Sequence, residues 1–376
     1  MPELVVLTEQ LLAPVPGGTG RYTRELLTAM AASAPPDWTV AGVTATHKDL
    51  SPAVVSGVAG PRALPLSRRG LTALWERGVH LWPGGDTVHA PTPLAPPAPR
   101  RGRSLIVTVH DLVPFTHPET LTRRGVSWHQ AAIRRAAGRA NAIVVPTDAV
   151  AEDLHRYAPG KATVAVVGHG VADALLEPVE PAQLHATAVG LGLPSAYVLA
   201  VGTVEPRKGL DVLIEAMAQP FAPDLPLVVV GPRGWGEVDL TALADRHGLA
   251  PGRLHVLGRI TDADLAVVLR RATVLAAPSR AEGFGLPVLE AMAVGVPVVH
   301  TDVPALVEVA GGAGVSVRRG DAKALAAGLR AVLDDPASTA RRVESGRSRA
   351  QAFTWGHAAA ELWRLHTRFF AMASVR

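Results

Sequence analysis

The sequence predicts an α/β fold with two Rossmann-like, doubly wound parallel sheets, one in each half of the chain. Short β-rich apolar runs alternate with alanine-rich helical stretches almost throughout, which is the pattern of parallel βα units. The 376 residues exceed one ordinary core at roughly 100 to 200 residues per domain. Between the two sets of strands, "HGVADALLEPVEPAQLHATAVGLGLPSA" breaks the periodicity with prolines and glycines, as a domain junction does.

In order, the first half offers the strands "ELVVLT", "TVAGVTA", "TVHA", "SLIVTVH", "AIVVPT" and "TVAVVG". The second offers "AYVLAVG", "LPLVVVG", "RLHVLG", "TVLAAPS" and "VPVVHT". The first domain is placed at 1–178 and the second at 179–354. Residues 355–376 form a closing segment, in which Trp355, Leu362, Trp363, Leu365, Phe369 and Phe370 recur at helical spacing; aromatic bulk so arranged is core packing. "VHAPTPLAPPAPRRGRS" is a stiff proline-rich surface loop.

Apolar residues make up 48% and charged residues 19% of the chain, a globular composition. No apolar run reaches the ~18 residues of a membrane span, and the N-terminus lacks the basic region of a signal peptide. The absence of cysteine removes thiol catalysis and fits a reducing cytoplasm. The net charge of +4, carried mostly by arginine, suits an anionic partner. Nucleic acid is disfavoured, because three Tyr and six Phe come with no recognised binding signature.

Chemistry concentrates in "RAEGFGLPVLEAMAVGVPVV". A strand ends, Glu282 follows in a loop, and Pro287 suits the first position of a helix that stops at Gly295. Glu290 then falls in the first helical turn, where the dipole keeps a carboxylate ionised. In open α/β sheets ligands lie in this crevice beyond the strand ends, and helix N-terminal amides take phosphate or hydroxyl oxygens. Simple dipole complementation by Glu290 and a solvated Glu282 would also satisfy the pattern. Upstream, "GTVEPRKG" sets Arg207 and Lys208 side by side at a strand end, a fork and a point charge suited to a pyrophosphate.

The run "EGFGLPVLEAMAVGVPVV" resembles the E-x7-E signature of retaining glycosyltransferases with the two-domain GT-B fold, specifically the GT4 family. The likeness covers nearly the whole chain and is strongest from Tyr197 to Val309. It implies two domains facing a cleft, an acceptor-side first domain to which the closing helix returns, and a nucleotide-sugar-binding second domain. It implies that Arg207 and Lys208 hold the donor diphosphate, that Glu290 binds the ribose, and that Glu282 with Gly283, Phe284, Gly285 and Leu286 holds the sugar. Gly202 and Thr203 belong to the same phosphate loop. Many relatives carry arginine where this chain has Thr203, so the clamp would rest on Arg207 and Lys208.

"VPGGTGRYTREL" places Gly17, Gly18 and Gly20 ahead of a helix, where backbone can approach an anion; a tight turn explains such a loop equally well. It lacks the G-x-G-x-x-G spacing of a dinucleotide fold, and in the family it lies over the donor phosphates and the acceptor site. "SLIVTVHDLVPF" puts His110 at a strand end. The resemblance assigns His110 a contact near the donor sugar's 6-hydroxyl, with Asp111 supporting the loop. His169 stands where the family has asparagine and receives no role.

Asp262-Ala263-Asp264 matches an Asp-x-Asp metal motif, but it precedes an apolar-periodic helix, so Thr261 or Asp262 as N-cap is the better account. No cofactor or metal is expected beyond a nucleotide-sugar co-substrate. "LTRRGVSWHQAAIRRAAGRA" carries Arg123, Arg124, Arg134, Arg135 and Arg139. It reads as a surface helix with snorkelling arginines or as a peripheral contact with an anionic membrane.

The implied reaction moves a hexose to the hydroxyl of a glycan, lipid-linked or small-molecule acceptor, with retention by same-face attack. "GTVEPRKG" resembles users of GDP-mannose, while UDP-glucose, UDP-N-acetylglucosamine and dTDP-sugar users share the other motifs. A sugar-nucleotide-binding protein without transfer activity and a GT-B epimerase are the alternatives.

Overall fold

The computed structural model describes residues 1–374. The chain forms two compact units, Met1–Gly170 together with the segment from Thr354 onward, and Val171–Phe353. The division falls ahead of 178 because Val171, Ala172 and Leu175 are buried in the second unit's core. The closing helix Trp355–Ser374 belongs to the first unit; the last two residues of the 355–376 segment lie outside the described range.

The first unit is a seven-stranded sheet in the order β3-β2-β1-β4-β5-β6-β7. Its strands are β1 (Glu3–Leu7), β2 (Thr39–Thr44), β3 (Ala59–Ala63), β4 (Thr87–Ala90), β5 (Ser104–Thr108), β6 (Ala142–Val145) and β7 (Thr163–Val166). All neighbouring pairs are parallel. Alternation along β1 sends Leu4 and Val6 into the cluster that holds Leu362 and Trp363, and Val5 and Leu7 into the cluster on the other face. Both faces are covered, so these strands read as continuous apolar runs.

The second unit is a six-stranded sheet in the order β10-β9-β8-β11-β12-β13. It comprises β8 (Val198–Val201), β9 (Leu227–Val230), β10 (Leu254–Gly258), β11 (Val274–Ala277), β12 (Val298–Thr301) and β13 (Val315–Val317). These pairs are parallel too. In each sheet the strand numbering jumps at one place, β1/β4 and β8/β11, and there the connections leave in opposite directions and open a crevice at the strands' carboxyl ends.

Two strands escape the sequence reading. β3 is "AGPRA" on a sheet edge, mostly exposed and without an apolar run. β13 has only three residues. Of Thr261 and Asp262 it is Thr261 that caps, its hydroxyl accepting from Asp264 N at 3.1 Å, and Thr147 caps the helix after β6 in the same way, accepting from Val150 N at 3.3 Å. The basic helix spans Arg123–Arg139. Arg134 lies over the Phe115 ring at 4.8 Å, and Arg135 donates to the Glu76 carbonyl at 3.0 Å. Among the described residues no helix is long and apolar enough to cross a membrane.

Candidate functional site

In the second unit, the loops that follow β8 and β11 come together because those strands are neighbours. The first continues from Gly202 through a single turn at Pro206–Lys208, then Gly209, and enters the helix Leu210–Met217. Gly209 has φ +65°, and a Cβ there would stand 2.1 Å from the carbonyl oxygen of Pro278 in the second loop. Only glycine permits that approach.

Arg280 fastens the loops from the other side. Its guanidinium donates to both Asp211 oxygens at 2.8 and 2.6 Å and to the Pro206 carbonyl at 2.7 Å, while its amide donates to the Arg207 carbonyl at 2.8 Å. Such a bidentate fork fixes orientation as well as position.

Between the two loops sits a cluster of charge. Lys208 Nζ donates to Glu282 Oε1 at 2.5 Å, Arg207 donates to Glu282 Oε2 at 3.0 Å, and the Ser279 hydroxyl donates to Oε1 at 2.7 Å. Arg207 also pairs with Glu205 at 2.7 Å. Burial works to raise the Glu282 pKa, but the charges of Lys208 and Arg207 and the bonds from Lys208 and Ser279 outweigh it and hold the carboxyl at about 2. A small cavity beside the cluster is lined by Gly202, Lys208, Ser279, Glu282, Gly285 and Pro287, among others.

The family resemblance assigns Arg207 and Lys208 to a diphosphate and Glu282 to a sugar, and the fold makes them one hydrogen-bonded group. Thr203 lies in the same loop, its methyl against Gly234, where a Cβ would stand only 2.3 Å away. Gly283 follows Glu282 directly. Phe284 turns into the core, 4% exposed, with its ring edge-on to Phe353 at 5.7 Å.

Two expectations about the next helix are corrected. It spans Leu286–Val294 with Gly285 as N-cap at φ +99°, so Leu286 takes the first position and Pro287 the second. Glu290 is therefore in the second turn and not the first. It is 2% exposed, out of reach of the dipole argument that applies at the terminus. Asp262 and Asp264 open the helix Asp262–Arg271, and Asp264 also accepts from the Thr261 hydroxyl at 2.8 Å. That is a capping arrangement.

In the first unit, Gly17, Gly18 and Gly20 do not precede a helix but form the first turn of one, Gly17–Ala32. A Cβ on Gly20 would meet Pro16 at 2.3 Å, so this glycine serves a tight helix start. His110 follows β5, and its Nε2 lies 2.8 Å from the Pro91 carbonyl. A carbonyl only accepts, so Nε2 carries the proton, and burial lowers the ring's pKa. His110 is thus a neutral imidazole with Nδ1 as acceptor. Asp111 accepts from Val113 N at 3.1 Å and holds the loop. His169 is buried and stacked on Trp355 at 5.8 Å, a packing part.

Sequence reasoning passed over Ser279, Arg280 and Asp211. The strand-end location of "PSRAEG" marked the first two, but Asp211 lies 69 residues from Arg280 and no local signal joins them.

The profile of glycosyltransferase family 4 matches residues 16–175, and that of glycosyl transferases group 1 matches 188–349. The O-antigen chain mannosyltransferase B of Escherichia coli is 31% identical over 261 residues, 68% of each chain. A D-inositol 3-phosphate glycosyltransferase of Catenulispora acidiphila is 30% identical over 92% of this chain and 74% of its own. The phosphatidyl-myo-inositol mannosyltransferase of Mycolicibacterium smegmatis is 36% identical, but the match spans only 42% of that protein.

Among solved structures, the sucrose-phosphate synthase of Thermosynechococcus elongatus superposes with a TM-score of 0.78 at 24% identity, covering 99% of this chain and 100% of that one. HepE of Anabaena, crystallised with UDP-glucose, superposes with a TM-score of 0.76 at 21% identity, covering 98% and 100%. With two parallel-sheet units of this topology and profile matches in both, the chain belongs to the group 1, family 4 glycosyltransferases of GT-B fold.

Proposed function

We propose that the protein transfers a hexose, mannose foremost, from a nucleoside diphosphate sugar to an acceptor hydroxyl, with retention at the anomeric carbon and without a metal ion. The observation that carries this reading is the Arg207–Lys208–Glu282 cluster at the β8/β11 crevice. Two relatives named as mannosyltransferases support mannose over other hexoses.

As the donor's bond to the sugar breaks, negative charge grows on the leaving diphosphate. Lys208 and Arg207 are fixed in advance to receive it, and preorganised charge of this kind lowers a barrier without reorganisation. The donor diphosphate competes with Glu282 for these cations, and the carboxylate oxygens so released accept from the sugar's hydroxyls. A carboxyl held near 2 is a weak base, which supports proton transfer to the departing phosphate and attack on the same face. Two cations in the clamp, with Asp264 engaged by the Thr261 cap, support metal independence.

Alanine at Lys208, Glu282 or Glu290 should each lower transfer at least tenfold, about 1.4 kcal/mol of barrier. The product should keep the donor's anomeric configuration by NMR, and a chelator should leave the rate unchanged. Full activity in all three variants would end the assignment.

A further inference from the structure

The first unit holds a second, larger cavity, about 560 Å³, at the carboxyl ends of β1, β4 and β5. It lies at that sheet's own topological switch point, and its volume is that of a small-molecule site. His110 and Asp111 are on its wall.

Its lining carries charges of both signs. Glu9 and Asp111 supply carboxylates, and Arg68 and Arg124 supply guanidiniums. Glu9 is buried, accepting from Ala45 N at 2.9 Å and bonded to His47 at 2.9 Å, with Arg68 3.9 Å away. Asp111 spends one oxygen on Val113 N and has the other to offer. Equal numbers of carboxylates and guanidiniums do not select an anion. Interspersed donors and acceptors match groups that both donate and accept, which is what hydroxyls do.

Trp128 supplies the apolar element. It is half-buried, packed against the cluster that contains Ile133 and Leu105, and its remaining surface lines the cavity. The ring is held edge-to-face against His129 at 4.5 Å, whose Nδ1 is tied to the Gly125 carbonyl at 2.8 Å. A rigid indole presents a flat apolar surface with an N–H at its edge. That surface suits the C–H face of a pyranose, while the charged rim suits its hydroxyls.

We infer that the acceptor is a carbohydrate whose ring lies on Trp128, with its hydroxyls held by the rim of Glu9, Asp111 and Arg124. This rests on the glycosyl-transfer reading and names the acceptor class for it. An alkyl chain would strip water from Asp111 and Arg124 without offering either a polar partner, and a bare phosphate would meet as many carboxylates as cations.

The test is saturation-transfer NMR on the full chain saturated with nucleoside diphosphate, with methyl glycosides of glucose, mannose and galactose as ligands and inorganic phosphate as a separate arm. At least one glycoside should receive saturation on its ring C–H protons. Trp128→Ala should weaken that binding at least fivefold, Trp128→Phe should restore most of it, and neither should alter nucleotide affinity. Glycoside binding that Trp128→Ala leaves unchanged overturns the platform, as does phosphate binding that excludes every glycoside. Failure of the wild-type chain to bind any nucleoside diphosphate instead removes the transfer reading beneath it.

Discussion

Lys208 Nζ stands 2.5 Å from Glu282 Oε1 across 74 residues of sequence, so the cation proposed to take the donor diphosphate is paired with a carboxylate of the chain itself. The pair is largely shielded from solvent, with side chains 16% and 11% exposed, and the interaction is correspondingly strong. Replacing Glu282 by Gln keeps the shape and removes the competing charge. In E282Q the affinity for nucleoside diphosphate should hold or rise up to tenfold while transfer falls at least tenfold; in K208A both should fall. Calorimetry with the nucleotide and initial-rate measurements separate the two effects. A weaker nucleotide affinity in E282Q would count against competition for the cations.

The same carboxylate sets an acid sensitivity. Its pKa is about 2 when folded against 4.5 as the unperturbed value, so the unfolded chain binds more protons between those limits. The stabilisation is complete above about pH 4.5 and drains away as pH falls toward 2. A difference of this size corresponds to roughly 3 kcal/mol. Urea titrations at pH 5 and pH 3 should therefore show a larger loss for the wild type than for E282Q, and equal losses would place the acid response elsewhere.

The parallel α/β pattern and most of its strands were legible in the sequence, wherever the signal is local. Buried strands such as β1 and β11 are continuous apolar runs, and Thr261 announces its helix by the acids after it. Edge strand β3 gives no such signal, since an edge with Gly60, Pro61 and Arg62 has little to bury. At the site, charge and glycine marked Arg207, Lys208 and Glu282 individually. Their union, and the Arg280–Asp211 fork that braces it, depends on β8 lying beside β11 although β9 and β10 intervene in the chain. Helix starts misled by a residue or more, so Glu290 was set a turn too early.

Gly209 offers a test of that bracing. Alanine there would need a left-handed φ of +65° and would drive its Cβ to 2.1 Å from the Pro278 carbonyl, a contact with backbone that no side-chain rotation relieves. Gly209→Ala should cost 2 kcal/mol or more of stability, about the sum of a backbone penalty and a forced shift. Because Lys208 is the adjacent residue, transfer should fall more steeply than thermal stability. Unchanged melting together with unchanged activity would show that the two loops are not clamped at this point.

In the first unit a buried chain of hydrogen bonds ties the closing helix to the sheet. Ser104 donates to Thr87 at 2.6 Å, Thr87 meets His366 Nδ1 at 2.7 Å, His366 Nε2 meets His89 Nδ1 at 3.3 Å, and His89 Nε2 meets Thr108 at 3.2 Å. Thr87 accepts from Ser104, and donating its own proton to His366 Nδ1 lets each group in the chain both accept and donate. In that arrangement both imidazoles are neutral Nε2–H tautomers, in keeping with burial lowering the pKa of each. His366→Ala strips a partner from Thr87 and from His89 in a fully buried site and opens a cavity beside them. The expected loss is about 2 to 4 kcal/mol, read by urea unfolding at neutral pH. Donor binding, assigned to the second unit, should persist below the transition. A loss under about 1 kcal/mol, within the range of an ordinary surface change, would mean that the helix is held by Trp363 and its apolar neighbours alone.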